Sequence, residues 1–287
     1  MIVIGGSTSK KLAQDLAKEL GCKYIQTQIS HFPDGESYVR IEEENLDHDV
    51  ILVQNSHPDA SLVELLLMQD AAVGLGATDI TTVVPYFGYA RQDERFKKGE
   101  ALSAKVMVKH LEMTSNRLIT VDVHKPIVLD WFKHGDAYDV HAAPCVGEFF
   151  KGAGIDLVLA PDEGALQRAA EVGRVIGADV DNLEKTRLSG EVVRMTPKNV
   201  DVKDRNALIV DDIISTGGTI EAAANQLKIL GARSVTAVCT HGLFAKGALD
   251  RLRKCCNSVY STNTIENEVS VISVAPQIAK VVRGGLK

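Results

Sequence analysis

Short apolar runs of strand length alternate along this chain with segments of helix length. IVIGG precedes SKKLAQDLAKEL and VILVQN precedes ASLVELLLMQDAAVGL; ITTVVPYF, LITVDVH, LVLAPD, ALIVDD and VTAVCTH follow. Runs of this kind belong to strands buried on both faces, and regular strand–helix alternation joins such strands in parallel. The expected fold is α/β, with mostly parallel sheets covered by amphipathic helices. In such sheets ligands gather beyond the C-terminal strand ends, so the loops that follow each apolar run are where chemistry is expected.

The pattern also repeats. LGATDITTVV from Leu75 matches LGARSVTAVC from Leu230, an offset of about 155 residues, and the same offset lays Gly35 and Glu36 on Gly190 and Glu191, and Ile2 on Leu157. Three matches in one register imply a duplicated α/β domain, with the boundary near Ala142 to Gly154. At 287 residues the chain has room for two domains of ordinary size. The copies differ at one place: the second carries VDDIISTGGT where the first carries LVQNSHPDAS, with neither an acidic pair nor Gly-Gly.

Charge and cysteine usage narrow the function classes. The formal net charge is −6 and no long basic run occurs, which argues against nucleic acid or an anionic membrane as partner. The five cysteines form no CxxC pair and two of them, Cys255 and Cys256, are adjacent, which suits neither a zinc site nor a disulfide framework. No apolar stretch reaches membrane-spanning length, and a soluble cytoplasmic protein with reduced thiols is expected.

VDDIISTGGT, Val210 to Thr219, carries the most chemistry. Ala207 to Val210 read as a short buried strand and Ile220 onward has helical periodicity, so Ser215, Thr216, Gly217, Gly218 and Thr219 are expected at a helix N-terminus. Unpaired N–H groups and the helix dipole favour an anion there, glycines permit close approach, and the hydroxyls add donors. Asp211 and Asp212, just before the turn, are placed to accept hydrogen bonds from vicinal ribose hydroxyls. A plain strand-to-helix turn with a Ser/Thr cap would account for the glycines alone, but not for the paired carboxylates.

This string resembles the 5-phosphoribosyl diphosphate signature shared by phosphoribosyltransferases and ribose-phosphate diphosphokinases. HFPDGES at His31, YARQDERFKKGEALSAK from Tyr89, VDVH at Val121, APDEG at Ala160 and EKTR at Glu184 are similar, in that order, to the diphosphokinase family over nearly the whole chain. Both halves carry motifs, whereas an ordinary transferase would need one such domain. The resemblance implies two duplicated phosphoribosyltransferase-like domains, each a mostly parallel sheet flanked by helices. Their expected bounds are 1–142 on the nucleotide side and 143–275 with the ribose 5-phosphate loop. A tail, 276–287, is expected to return to the first domain, VSVISVA being a last strand and PQIAKVV a short helix.

The implied activity transfers diphosphate from ATP to ribose 5-phosphate, with Mg²⁺ as cofactor. PDG is a turn tripeptide, and on that turn Phe32 would stack on adenine while Asp34 and Glu36 accept from the base or ribose. In the family this loop reaches a neighbouring subunit's nucleotide, which implies a homo-oligomer with its active site near a subunit interface. Arg91, whose planar fork suits phosphate, and Gln92 would contact ATP. His124 would touch ATP phosphate or ligate Mg²⁺, with Asp162 as the other protein-side ligand of metal or ribose, the phosphates supplying most of the coordination. Lys185 and Arg187, two apart and so on one face of a strand, would stabilise the transferring group as the catalytic pair. Where the family has a second glycine in APDEG, this chain has Ala165.

Overall fold

The computed structural model describes residues 1–46, 48–187, 193–198 and 200–284, and of residues 185–187 and 193–196 it describes the backbone only. The chain forms two compact units. One comprises Met1–His141, Thr264–Glu266 and the chain from Ser273 on; the other comprises Ala142–Asn263 and Asn267–Ile272.

The first unit begins with β1 (Ile2–Gly5), α1 (Lys10–Leu20) and β2 (Lys23–Gln26). A two-stranded antiparallel hairpin follows, β3 (Gln28–His31) with β4 (Ser37–Arg40). Then come β5 (Asp49–Val53), α2 (Asp59–Gly74), β6 (Asp79–Val84), α3 (Ser103–Leu111), β7 (Arg117–Val121) and β8 (Asp136–Val140). Six strands make one sheet in the order β2-β1-β5-β6-β7-β8, with every pair parallel. Val50 to Val53 of the central strand β5 are wholly buried, as a parallel strand covered on both faces requires. α1 buries Leu12, Ala13, Leu16 and Ala17, the stripe of a helix lying on a sheet.

α2 departs from the expected amphipathic pattern. Val63, Leu67 and Val73 are exposed while Glu64 and Gln69 are buried. Hydrogen bonds account for the buried pair. Glu64 accepts from Ser7 Oγ and from Gln54 Nε2 at 2.7 Å, and Gln69 Nε2 donates to Thr82, Leu111 and Ser115. Polar groups satisfied in this way enter a core at little net cost, so polarity alone misplaces the buried face.

The second unit contains α4 (Ala143–Phe150), β9 (Leu157–Ala160), α5 (Leu166–Ile176), β10 (Asp179–Arg187), β11 (Val193–Pro197) and β12 (Asn206–Ile214). It continues with α6 (Gly218–Ile229), β13 (Ser234–Gly242), α7 (Ala248–Cys255), β14 (Ser258–Thr262) and β15 (Ser270–Ile272). Its seven-stranded sheet runs β11-β10-β9-β12-β13-β14-β15, parallel except for the β10–β11 hairpin. The duplication is visible in the topology: β2-β1-β5-β6-β7 of the first sheet and β10-β9-β12-β13-β14 of the second run in the same order. The last helix, α8 (Ala275–Val282), belongs to the first unit and packs on α1. Ser273 Oγ donates to Asp15 at 2.8 Å and Arg283 to the Glu19 carbonyl.

One strand differs from expectation. β12 does not stop at Val210 but continues through Asp211 and Asp212 to Ile214, with Asp211 opposite Cys239 and Ile213 opposite His241 on β13. The carboxylates lie in the strand itself because its parallel neighbour is long enough to keep pairing with it.

Candidate active site

In the second unit the chemistry collects at the C-terminal ends of adjacent strands β9 and β12. Asp162 follows β9; its carboxylate accepts from the Ala165 N–H at 3.2 Å and so holds a tight turn. Ala165 stands where the family has glycine, and its methyl lies in the core cluster with Val158 and Leu208. The substitution is therefore absorbed by the core.

Asp211 and Asp212 follow on β12. Asp211 Oδ1 accepts the Asp212 N–H at 2.9 Å and Asp212 Oδ1 accepts the Ile213 N–H at 2.8 Å. Burial pushes the Asp211 carboxyl well above the usual carboxylate range, and the neighbouring charges of Asp212 and Asp162 add to the push. Three carboxylates thus crowd two adjacent strand ends, an arrangement that hydroxyl donors or a divalent cation would stabilise. The Cys239 thiol beside them is wholly buried and pushed up by that burial, so it is no nucleophile.

The chain then passes Ser215 and Thr216 to Gly217, whose φ of +75° caps α6 in the left-handed region. Among the described residues the N–H groups of Thr216, Gly217, Gly218 and Thr219 donate to no protein acceptor. A Cβ built on Gly218 meets no atom within 4 Å, whereas one on Gly217 would stand 3.3 Å from the Ala248 Cβ. The two glycines therefore differ in purpose: Gly217 makes the turn and lets α7 approach, and Gly218 leaves an open face above the first helical turn. Free N–H groups at the start of a helix of 12 residues are able to receive an anion.

Lys185 and Arg187 lie on the backbone of β10, opposite Met195 and Val193 of β11 in the antiparallel hairpin; their side chains fall outside what is described. A cavity of about 410 Å³ opens beside the hairpin, lined by Asp162, Glu163, Asn182, Glu184 and Lys198 among others.

In the first unit, Arg91 and Gln92 follow β6 and His124 follows its neighbour β7, so all three sit at one end of the sheet. Tyr89, with φ +69°, turns the chain there, and the Gln92 N–H donates to its carbonyl at 2.8 Å. The Arg91 guanidinium is exposed and has no partner among the described residues. Arg95 instead donates to the Glu100 carbonyl at 2.9 Å, and the Glu100 carboxylate accepts from the Phe96 and Lys97 N–H groups, so the charged loop is folded about one glutamate.

Asp122 is readable in VDVH as the neighbour of His124, whereas Asp139 and His141 were not singled out from the sequence. Asp122 is buried at φ +42° and its Oδ1 lies 3.0 Å from His141 Nδ1; Asp139 accepts from Thr120 Oγ1 at 2.8 Å and with both oxygens from the Val123 N–H. Together they fix the backbone immediately before His124. Burial, reinforced by the Asp122 charge, pushes the Asp139 carboxyl up to about 6. The signal was the recurrence of Asp-Val-His, in VDVH at Val121 and again in YDVH at Tyr138.

Phe32, Asp34 and Glu36 sit on the β3–β4 turn, where the Gly35 N–H donates to the Phe32 carbonyl at 2.8 Å and Asp34 Oδ1 accepts the Glu36 N–H at 3.2 Å. Phe32 is half exposed and meets Tyr38 edge-on at 6.0 Å. Among the described residues no hydrogen bond or ion pair joins this turn to Arg91 or Gln92.

The fold and its strand-end loops define a two-domain protein of the phosphoribosyl transferase type. Residues 139–278 match the family model for the phosphoribosyl transferase domain, and residues 1–114 match the one for the N-terminal domain of ribose phosphate pyrophosphokinase. The chain is 42% identical to the ribose-phosphate pyrophosphokinase of Pyrococcus abyssi, covering 98% of each chain. It is 39% identical to that of Methanothermobacter thermautotrophicus, covering 98% of this chain and 100% of the relative. The phosphoribosylpyrophosphate synthetase of Mycobacterium smegmatis superposes with a TM-score of 0.82 at 28% identity, over 99% of this chain and 97% of that one. The chain belongs to the ribose-phosphate pyrophosphokinase family.

Proposed function

We propose that this protein is a ribose-phosphate diphosphokinase, which moves the β,γ-diphosphate of ATP to the 1-hydroxyl of ribose 5-phosphate, giving 5-phosphoribosyl 1-diphosphate and AMP. The observation that carries the reading is the pairing, on one strand and helix start, of the crowded carboxylates Asp211 and Asp212 with the unpartnered N–H groups of Thr216 to Thr219. The N–H groups and the hydroxyls of Ser215, Thr216 and Thr219 suit the 5-phosphate, and the carboxylates suit the ribose hydroxyls. In the first unit Arg91, Gln92 and His124 would organise ATP, while Phe32, Asp34 and Glu36 would receive the nucleotide of a neighbouring subunit in a homo-oligomer.

Transfer to the anomeric oxygen needs no covalent enzyme intermediate, so positioning and charge neutralisation are what these residues supply. Lys185 and Arg187 would bind the transferring group as charge spreads over its oxygens, and the β10–β11 hairpin that carries them would exclude water. The donor set also fits Mg²⁺: the strand ends offer carboxylate oxygens, which that ion prefers. Among the described residues no group of three or more His, Cys, Asp or Glu is placed to hold a metal alone, so phosphate oxygens and water would supply most of the coordination, with His124 of the first unit or Asp162 of the second as a protein-side ligand. When bound, Mg²⁺ would neutralise charge on the phosphates. Among the described residues no helix is long and apolar enough to cross a membrane. The net charge of −6 and the free cysteines favour a cytoplasmic enzyme over a binder of nucleic acid or anionic membrane.

AMP release from ATP and ribose 5-phosphate, with ribose 5-phosphate omitted in the control and no nucleobase present, tests the reading. A phosphoribosyltransferase or a non-catalytic homologue would release none.

A further inference from the structure

We infer that Arg251 is a positioning residue for the ribose 5-phosphate loop, its guanidinium tying the backbone of Thr216 to that of Lys246; this rests on the reading of Ser215 to Thr219 as the phosphate seat. Arg251 lies on α7, outside every motif recognised in the sequence. Its Nη2 donates to the Thr216 carbonyl at 2.6 Å and its Nη1 to the Lys246 carbonyl at 2.6 Å, while Nε lies 3.7 Å from Glu221 Oε2 on the first turn of α6. One planar fork thus spans two loops, a task for which guanidinium geometry is suited and ammonium geometry is not.

The consequence for the anion follows from peptide geometry. In a planar trans peptide the carbonyl and the following N–H point to opposite sides. Holding the Thr216 carbonyl toward α7 therefore turns the Gly217 N–H away from α7, and that N–H is among those with no protein acceptor in the described structure. Without the clamp the Thr216–Gly217 peptide is free to rotate, because Gly217 tolerates either sign of φ.

The second loop is held in an unfavourable shape. Phe244 and Lys246 have φ of +44° and +55°, the left-handed region that is strained for any residue with a Cβ. Leu243 and Phe244 donate to the Ile214 carbonyl at 3.1 and 3.0 Å, which anchors this turn to the end of β12, and Arg251 anchors its other side. Arg251 and Glu221 side chains are each about two-fifths exposed, at 40% and 39%, so their ion pair adds little stability and serves to orient the fork.

The test uses the full chain. Arg251→Gln is expected to raise the KM for ribose 5-phosphate about tenfold while the KM for ATP and kcat stay within about twofold, with Arg251→Lys intermediate and methylguanidinium restoring part of the loss. Calorimetric titration with ribose 5-phosphate alone reads the same shift without turnover. Glu221→Gln keeps the guanidinium but loosens it, and serves if Arg251→Gln does not fold; a rise in the ribose 5-phosphate KM of about twofold is expected. Should the unaltered chain release no AMP, the functional reading fails, while the titration still tests the clamp. Equal loss of both substrates, or unchanged ribose 5-phosphate affinity in folded Arg251→Gln or Glu221→Gln, overturns the inference.

Discussion

Gly217 packs against Ala248: a Cβ at Gly217 would stand 3.3 Å from the Ala248 Cβ, and Gly217 itself sits at φ +75°. Its neighbour Gly218 has neither constraint. Adjacent glycines in one loop therefore answer to different demands, Gly217 to the fold and Gly218, on the proposed reading, to the ligand.

That difference is measurable. Gly217→Ala should lower stability by about 1–2 kcal/mol, since the left-handed conformation is strained for any side chain and α7 must shift. Gly218→Val should leave the denaturation midpoint nearly unchanged yet weaken ribose 5-phosphate more than ATP. Urea unfolding and calorimetry on the two variants separate these outcomes, and equal loss of both ligands in Gly218→Val would contradict the assignment of the seat.

Asp211→Asn replaces a carboxyl that burial and its acidic neighbours keep largely protonated near neutral pH with a neutral amide of the same shape. Stability near neutral pH should therefore stay close to the wild-type value, while ribose 5-phosphate binding falls. A variant that lost stability and kept ribose 5-phosphate affinity would show that the carboxylate serves the fold.

Lys185→Ala should lower kcat at least about 100-fold with a much smaller change in KM, because the contact assigned to it forms as charge is transferred. Turnover near the wild-type value would remove Lys185 from the catalytic group.

Chelation gives a further check. EDTA should abolish AMP release and added Mg²⁺ should restore it, with far-UV circular dichroism unchanged throughout, since the oxygen donors belong largely to the substrates. Full activity in chelator would exclude the proposed metal.

Asp139 gives a pH dependence whose sign is fixed by its environment. Its carboxyl titrates at about 6 in the folded chain, raised by burial and by Asp122, against an ordinary value of 3.8. The folded state thus keeps a proton that the unfolded chain has lost, so this group's contribution to stability is full below pH 4 and falls as pH rises to 6. Relative to Asp139→Asn, the wild-type protein should lose up to about 3 kcal/mol across that window. Parallel denaturation curves at pH 4 and 6.5 would show that Asp139 is not so perturbed.

Much of this architecture was readable from unbroken apolar runs. Val50 to Val53 and Leu157 to Ala160 are buried on both faces, and such strands announce themselves. The PDG turn at Pro33 to Gly35 was equally plain, because turn residues act locally. What escaped depended on partners distant in sequence. Asp211 and Asp212 look like loop residues, and only the length of β13 beside them keeps β12 extended to Ile214. Glu64 and Gln69 look like solvent-facing residues, and bonds to Ser7, Gln54, Thr82, Leu111 and Ser115 make their burial tolerable. Arg251, on the exposed side of an unremarked helix, acquires meaning through two carbonyls that no spacing rule connects to it.

The first unit takes its last helix from residues that follow the second: α8 lies against α1, with Ser273 and Arg283 bonded to Asp15 and Glu19. During synthesis the face of α1 that meets α8 must stay uncovered until the whole second unit has been translated. The order in which the halves are made is therefore not the order in which they can finish folding. For the same reason one cut at the junction after His141 yields a first fragment without its closing helix, so a single cut does not separate the two units.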